Sequence, residues 1–137
     1  MRLGDTIAAL ATPPGRGAVG IVRLSGPDAL RLARRVFSPP PALPRPRTLI
    51  LGRLVDPADG KPFDEAFLVY WRAPRSYTSE DVVELHIHGS PHVAARLLTI
   101  LAQEGAEVQV GAVLAMIEEG AAGAVSDAKP AAAAPAP

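Results

Sequence analysis

A glycine-rich run, Thr12–Gly26, leads directly into alternating apolar residues, and this order constrains the fold more than any other feature of the sequence. The run contains a G-x-G-x-x-G match that begins at Gly15, which is the pattern of a dinucleotide-binding loop. Such a loop needs its third glycine to open a helix whose N-terminus holds a pyrophosphate. Here Gly20 is followed by I-V-R-L, a strand pattern that places Arg23 among apolar residues. The sequence therefore indicates a turn between two strands and argues against a nucleotide site.

The remaining hydrophobic pattern predicts an α+β fold with the order strand, strand, helix, three strands, helix. The predicted strands cover Asp5–Ala11, Ala18–Leu24, Thr48–Val55, Glu65–Trp71 and Val82–His88. Ser25 is predicted to cap the first helix, while Ser90 and Pro91 begin the second, which ends near Gly105. Five prolines make Ser38–Arg47 an extended surface connection. We expect a mixed β-sheet with two helices on one face.

Composition narrows the classes of protein that this chain can belong to. Its 137 residues suit one domain with a tail, and only 4% are aromatic, so stacking platforms for nucleic acid are scarce. The absence of cysteine excludes disulfides, thiolate nucleophiles and cysteine-based metal sites. No apolar run has the length of a membrane span, and no signal peptide is recognisable. We expect a soluble, cytoplasmic protein without a membrane partner.

Two charged residues stand out because they occupy alternate positions in otherwise apolar strands. Arg23 lies in the second predicted strand, and Glu84 lies between two apolar residues of the fifth. An unpaired buried charge is too costly, so each side chain must face solvent, pair with an opposite charge or belong to a polar site. The residues alone favour exposure or a mutual ion pair, and a ligand site remains the alternative.

Three histidines form the other candidate cluster. His86 and His88 share one face of a strand, and His92 lies in the first turn of the next helix. Three imidazoles are suitable zinc ligands, but no nearby carboxylate completes a recognised ligand spacing. We interpret the two strand histidines as exposed polar positions. The serines of the chain lie in turn or capping contexts, so a serine-hydrolase triad has no support.

Two separated segments, DTIAALATPPGRGAVGIVRLSGPDAL and SYTSEDVVELHIHGSP, together with GRLVDP between them, carry a specific resemblance. They resemble the N-terminal domain of the tRNA-modifying GTPase family MnmE, also called TrmE, over residues 4–106. That resemblance implies a tetrahydrofolate-binding domain that forms a homodimer. In the family a helical domain with an inserted GTPase domain follows. With an MnmG-type FAD protein, members modify carbon 5 of the wobble uridine of tRNA.

The resemblance assigns the family's folate-contacting arginine to Arg23 and its folate-contacting glutamate to Glu84. A carboxylate suits the paired donors of a pterin edge, and a guanidinium suits a folate carbonyl or carboxylate. The implied cofactor is a tetrahydrofolate derivative, either 5-formyl- or 5,10-methylene-tetrahydrofolate. The implied direct partner is a second copy of the chain. The MnmG-type protein and tRNA are expected as partners only through a full-length family member.

The sequence departs from the family pattern after the second helix. The two-glycine turn appears here as Gly89-Ser90, and a P-G-E-F-type segment with a lysine of the folate site is missing. The GTPase domain is also missing, so we expect no GTP, potassium or magnesium site and no GTP hydrolysis by this chain alone. Whether the chain is an enzyme stays open. The alternative function is a dimerisation or interaction domain that has lost folate binding.

The end of the chain has a different character. VQVGAVLAMIEEGAAG and the Ala/Pro-rich tail weakly resemble the end of a lipoyl domain and the linker of dihydrolipoamide acyltransferases over residues 107–137. We therefore predict a folate-binding-like domain over 1–106, a short β-like segment over 107–119 and a disordered tail over 120–137. The chain is expected to be a truncated module joined to an unrelated tail.

Overall fold

The computed structural model describes residues 5–109, which form seven strands and two helices. The strands are β1 (Ile7–Leu10), β2 (Gly17–Ser25), β3 (Phe37–Ser38), β4 (Ile50–Val55), β5 (Pro62–Trp71), β6 (Val82–Gly89) and β7 (Glu107–Val108). The helices are α1 (Ala29–Val36) and α2 (Pro91–Gln103). Neither helix has the length and apolar character needed to cross a membrane. Of the β-like segment predicted over 107–119 and the tail predicted over 120–137, residues 110–137 lie outside the described residues.

All seven strands join one sheet in the order β3-β4-β5-β6-β2-β1-β7. Every neighbouring pair is antiparallel except β1 and β7, which are parallel, so the predicted mixed sheet and α+β class are confirmed. Residues 39–49 form no helix or strand, which agrees with the predicted connection over Ser38–Arg47 except at Ser38, the last residue of β3. The strand predicted from Thr48 begins two residues later, at Ile50. The two-residue strand β3 was not predicted, because such a short strand depends on pairing rather than on a pattern of its own. The other two-residue strand, β7, lies at the start of the segment over 107–119 that was predicted to be β-like.

Both helices pack on the same face of the sheet and contact each other and β6. Alternate residues of the central strands point toward them, and Val22, Leu85 and Leu68 lie side by side in one fully buried row. The opposite face carries no helix within residues 5–109. The expectation of two helices on one face is therefore confirmed, and one face of the sheet is left for other contacts.

The start of α1 differs from the prediction. Ser25 is the last residue of β2 rather than a helix cap, and α1 begins after Asp28 without a side-chain capping bond. The hydroxyl of Thr6 instead accepts the backbone N–H of Asp28 at 2.8 Å. Gly26, two residues before Asp28, has a φ of 139°, and a Cβ on it would lie 2.6 Å from the backbone of Thr6. The hydroxyl of Thr6, the residue directly before β1, therefore replaces the predicted local cap.

The glycine-rich run allows the close backbone approach and the turn with which β2 begins. Gly17, at the start of β2, pairs with Gly89, at the end of β6, and a Cβ on Gly89 would overlap the Gly17 carbonyl group. The register shifts by one residue between Gly17 and Val19, which is a β-bulge. Gly15 has a φ of 104°, in the left-handed region that favours glycine. These glycines shape the entry to β2, and the rest of the strand delivers Arg23.

Candidate functional site on the helix-free face

The candidate site lies on the helix-free face, where β2 and β6 run side by side. Arg23 and Glu84 are direct partners in the antiparallel register of these strands. Nε and Nη2 of Arg23 both donate to Oε2 of Glu84, at 3.0 and 2.7 Å. The structure thus brings together the two residues that the sequence singled out. In the structure as it stands they form a mutual ion pair, one of the alternatives that the sequence left open.

Glu84 is nearly buried, with 6% of the residue exposed, and its neighbours determine its environment. Nε2 of His86 lies 3.0 Å from Oε1 of Glu84. Because a carboxylate has no hydrogen to give, this nitrogen is the donor. On β5 the residue opposite Glu84 is the buried Val69. The carboxylate therefore receives three hydrogen bonds beside an apolar side chain, and the charge is compensated.

Arg23 has N–H groups that do not bond to Glu84. A guanidinium has five N–H groups, and Glu84 receives two bonds from it, which leaves three N–H groups. The Arg23 side chain is 34% exposed, against 8% for Glu84. The arginine is consequently the accessible member of the pair, and a polar ligand reaching this face would meet it first.

A loop between β5 and β6 borders the same site. The guanidinium carbon of Arg23 lies over the ring of Tyr77, 5.3 Å from its centroid. Ser25, next along the face of β2, bonds to two residues of this loop: its hydroxyl lies 2.7 Å from that of Thr78 and donates to Glu80 at 2.9 Å. The open face is thus lined at one end by a loop fastened to β2.

The other end of the face is apolar. A cavity of about 310 Å³ opens there between the side chains of neighbouring strands. Three of its lining residues are exposed apolar side chains, Val19, Leu51 and Phe67, with exposed fractions of 42–55%. His86 lines the same cavity, so the apolar patch adjoins the charged pair through that side chain. The cavity patch is defined here as Val19, Leu51 and Phe67.

The comparisons with known proteins agree with the sequence motifs. Residues 6–118 match a family model described as the N-terminus of the GTP-binding protein TrmE. The chain belongs to this TrmE N-terminal family. The predicted resemblance over residues 4–106 is confirmed, whereas the likeness of residues 107–137 to a lipoyl domain stays a prediction.

Curated relatives of this family member are tRNA modification GTPases named MnmE. The chain is 50% identical over 107 residues to a Thermus thermophilus protein, an alignment that covers 77% of this chain and 25% of the relative. Identity is 54% over 94 residues with the Myxococcus xanthus protein, covering 69% and 21%. With the Bordetella parapertussis protein, identity is 49% over 105 residues, an alignment that covers 77% of this chain and 22% of the relative. The chain spans about a quarter of the length of these relatives.

The histidines of this TrmE N-terminal family member do not converge. His86 binds Glu84, whereas Nδ1 of His88 lies 2.6 Å from Oδ1 of Asp64. Asp64 also accepts the backbone N–H of His88 at 3.1 Å. His92 is exposed in the first turn of α2. Within residues 5–109 no group of three or more potential ligands is arranged to hold a metal ion.

Two contacts at the site were missed by the sequence interpretation. His86 was expected to be merely exposed, but its spacing of two residues from Glu84 on a strand already placed both side chains on one face. Tyr77 lies 54 positions from Arg23, and only the folded loop brings them together. The contact of His86 with Glu84 could have been predicted from the two-residue period of a strand, whereas the local sequence does not indicate the contact of Tyr77 with Arg23.

Proposed function

We propose that this chain is a tetrahydrofolate-binding, self-associating module of the kind that begins tRNA modification GTPases. The observation that carries the proposal is the pairing of Arg23 with Glu84 on the helix-free face. A nearly buried carboxylate and a partly exposed guanidinium, fixed in adjacent strands, are suited to recognise a ligand with both donors and acceptors along one edge. Reduced folates have such an edge on the pterin.

Folate binding at this pair requires an exchange of hydrogen bonds. The amidine-like edge of a pterin presents two donors, and Glu84 already accepts three bonds. His86 is the easier donor to release, because it contributes one bond to Glu84 whereas the guanidinium contributes two charge-assisted bonds. We therefore propose that the pterin takes the place of His86 at Oε1 while Arg23 stays on Oε2. The three remaining N–H groups of Arg23 then serve a carbonyl or carboxylate of the ligand.

The cavity patch supports self-association. Val19, Leu51 and Phe67 belong to three different strands, yet they line one cavity and remain 42–55% exposed. Apolar side chains grouped on a sheet face that carries no helix within residues 5–109 favour a protein contact. We propose a second copy of the chain as the occupant, in a twofold dimer that places the two Arg23–Glu84 pairs close to the interface.

The wider role concerns the whole protein of which such a module is a part. We propose that a full-length relative in the cytoplasm uses the folate-derived one-carbon unit to modify the wobble uridine of tRNA together with an MnmG-type FAD protein. The relatives named above are tRNA modification GTPases, which supports this assignment. In this proposal the present chain supplies ligand binding and association, and GTP hydrolysis belongs to the remainder of a full-length protein.

Calorimetric titration with 5-formyltetrahydrofolate tests the binding proposal. We expect saturable submillimolar binding by the unsubstituted chain and its loss in Glu84→Gln and Arg23→Lys. Arg53→Ala is the matched control, because Arg53 is an exposed arginine of β4 with no bond to Glu84. Equal affinity in all four proteins would remove Arg23 and Glu84 from the site. No binding at millimolar ligand would favour the interaction domain without folate, an alternative consistent with the fully compensated ion pair.

Sedimentation equilibrium tests the association proposal separately. We expect the unsubstituted chain to dimerise and Phe67→Lys to shift the equilibrium toward monomer, because a lysine in the cavity patch places a charge at the interface. Leu43→Lys is the matched control, since Leu43 is 74% exposed but lies on the proline-rich connection. A strictly monomeric unsubstituted chain, or an equal effect of both substitutions, would contradict the proposal.

A further inference from the structure

Tyr77 is an aromatic side chain left in water beside the candidate site. It is 87% exposed, the highest fraction among the large hydrophobic side chains exposed in residues 5–109. Its ring contacts the guanidinium of Arg23, whose central carbon lies 5.3 Å from the ring centroid. A tyrosine ring carries a large area that is stabilising when buried, so an uncovered ring on a fixed support is suited to bind a further group.

The support under Tyr77 is fixed by bonds on both sides of it. Before Tyr77, the N–H of Ala73 donates to the carboxylate of Asp81 at 2.8 Å, which closes the base of the loop. After Tyr77, Thr78 and Glu80 both bond to the hydroxyl of Ser25 on β2. The backbone N–H of Gly26 adds a bond to the carbonyl of Asp81 at 2.9 Å. The ring is therefore held next to Arg23 without being buried.

The neighbouring groups specify what would cover this ring. Arg23 and Glu84 present hydrogen-bonding groups at the sheet surface, while Tyr77 presents a ring next to the Arg23 guanidinium. A flat heterocycle with polar groups along its edge satisfies both, because its edge bonds to the charged pair and its face packs on the ring. An aliphatic side chain packed on the ring would instead offer no acceptor to the remaining N–H groups of Arg23.

We propose that Tyr77 packs against the planar pyrimidine ring of the pterin and so selects ligands with a flat ring beside the edge held by Arg23 and Glu84. This inference rests on the proposed folate function and adds a specificity-determining residue to it. The p-aminobenzoyl ring lies further along the ligand and is not assigned to Tyr77. The contact depends on the ring rather than on the phenol hydroxyl, which bonds to no group in residues 5–109.

The test compares Tyr77→Ala and Tyr77→Phe by calorimetry with two ligands, 5-formyltetrahydrofolate and p-aminobenzoyl-L-glutamate, which lacks the pterin. We expect the alanine variant to bind 5-formyltetrahydrofolate about tenfold more weakly, since loss of a stacking ring has an effect of this order. Tyr77→Phe should stay within about twofold, because it keeps the ring face. The affinity of p-aminobenzoyl-L-glutamate should not change in either variant. Leu43→Ala, an exposed apolar residue on another loop, is the matched control.

Each outcome separates this inference from the function on which it rests. Normal binding by the unsubstituted chain with unchanged affinity in Tyr77→Ala would overturn the inference and leave the folate site standing. Equal weakening for both ligands would also overturn it, because the effect would not come from the pterin. Absence of binding by the unsubstituted chain would overturn both. Weaker dimerisation of Tyr77→Ala in sedimentation, with unchanged folate affinity, would assign the ring to the second copy instead.

Discussion

Two neighbouring rows of side chains cross the same central strands and face opposite sides of the sheet. Val22, Leu85 and Leu68 point toward the helices and are fully buried. The other row faces the opposite side of the sheet and contains His86, Phe67 and Leu51, which are neighbours on three adjacent strands. Phe67 is 42% exposed and Leu51 is 54% exposed. The same backbone pairing therefore builds the hydrophobic core on one face of the sheet and positions the candidate ligand site on the other.

The difference between the rows also explains where charge is tolerated. A charge on the helix side would be surrounded by aliphatic side chains, and the buried side chains of the two helices there are all apolar. On the open side Arg23 keeps partial access to water, and the nearly buried Glu84 is compensated by hydrogen bonds from Arg23 and His86. The alternation of β2 and β6 thus separates a core from a candidate ligand site within single strands.

The largest effect is expected from Leu85→Ala on the helix side. Removing a fully buried leucine leaves a cavity, so the free energy of unfolding should fall by about 2–5 kcal/mol. Urea denaturation followed by circular dichroism measures this loss. A change below that of an open-face substitution would contradict the assignment of the two faces.

A smaller loss is expected from Gly89→Ala, where β6 meets the start of β2. The new Cβ would overlap the Gly17 carbonyl group, and we expect a cost of about 1–3 kcal/mol as the strand end moves. Gly20→Ala is the control, because its nearest contact would be a side-chain carbon of Ile87 at 3.3 Å rather than an overlapping backbone carbonyl group. Denaturation midpoints of the two variants check the difference, and equal midpoints would argue against the close approach.

The ion pair on the open face should show a moderate coupling. In a double-mutant cycle with Arg23→Gln and Glu84→Gln, we expect a coupling energy of about 1–2 kcal/mol in unfolding, as for residues in direct contact. The estimate is modest because the guanidinium is 34% exposed and solvent screens it. Additive effects of the two substitutions would show that the pair is not formed in solution.

The smallest effect on stability is expected from Leu51→Ala in the cavity patch. More than half of this side chain is exposed, so its truncation should cost less than about 1 kcal/mol. All variants need comparison at equal chain concentration, because self-association would add to apparent stability. A loss as large as that of Leu85→Ala would mean that the patch belongs to a core.

The sequence predicted the long elements because their patterns are local. The five longer strands and both helices follow from alternation and helical spacing, and Gly105 ends the second helix region with a φ of 112°. The cap assigned to Ser25 was wrong because tertiary contacts took over: its hydroxyl bonds to the loop that carries Tyr77, and Thr6 serves the helix. Local capping signals cannot anticipate a hydroxyl that comes from a distant part of the chain.

The candidate site could be predicted only in part. Alternation placed Arg23 and Glu84 on strand faces, and the family motifs gave both residues a common role, but their register is a property of the assembled sheet. The contact of Tyr77 with Arg23 depends on how the loop of residues 72–81 is fastened, which no periodicity encodes. Sequence therefore identified the charged pair, and the structure supplied its neighbours.

Amide chemical-shift mapping with 5-formyltetrahydrofolate tests the central claim most directly, because it reports which face of the sheet the ligand contacts. We predict saturable shifts in β2 and β6 around Arg23 and Glu84, extending to Tyr77, with little change along α2. Shifts confined to the helices, or none at millimolar ligand, would contradict a folate site on the helix-free face.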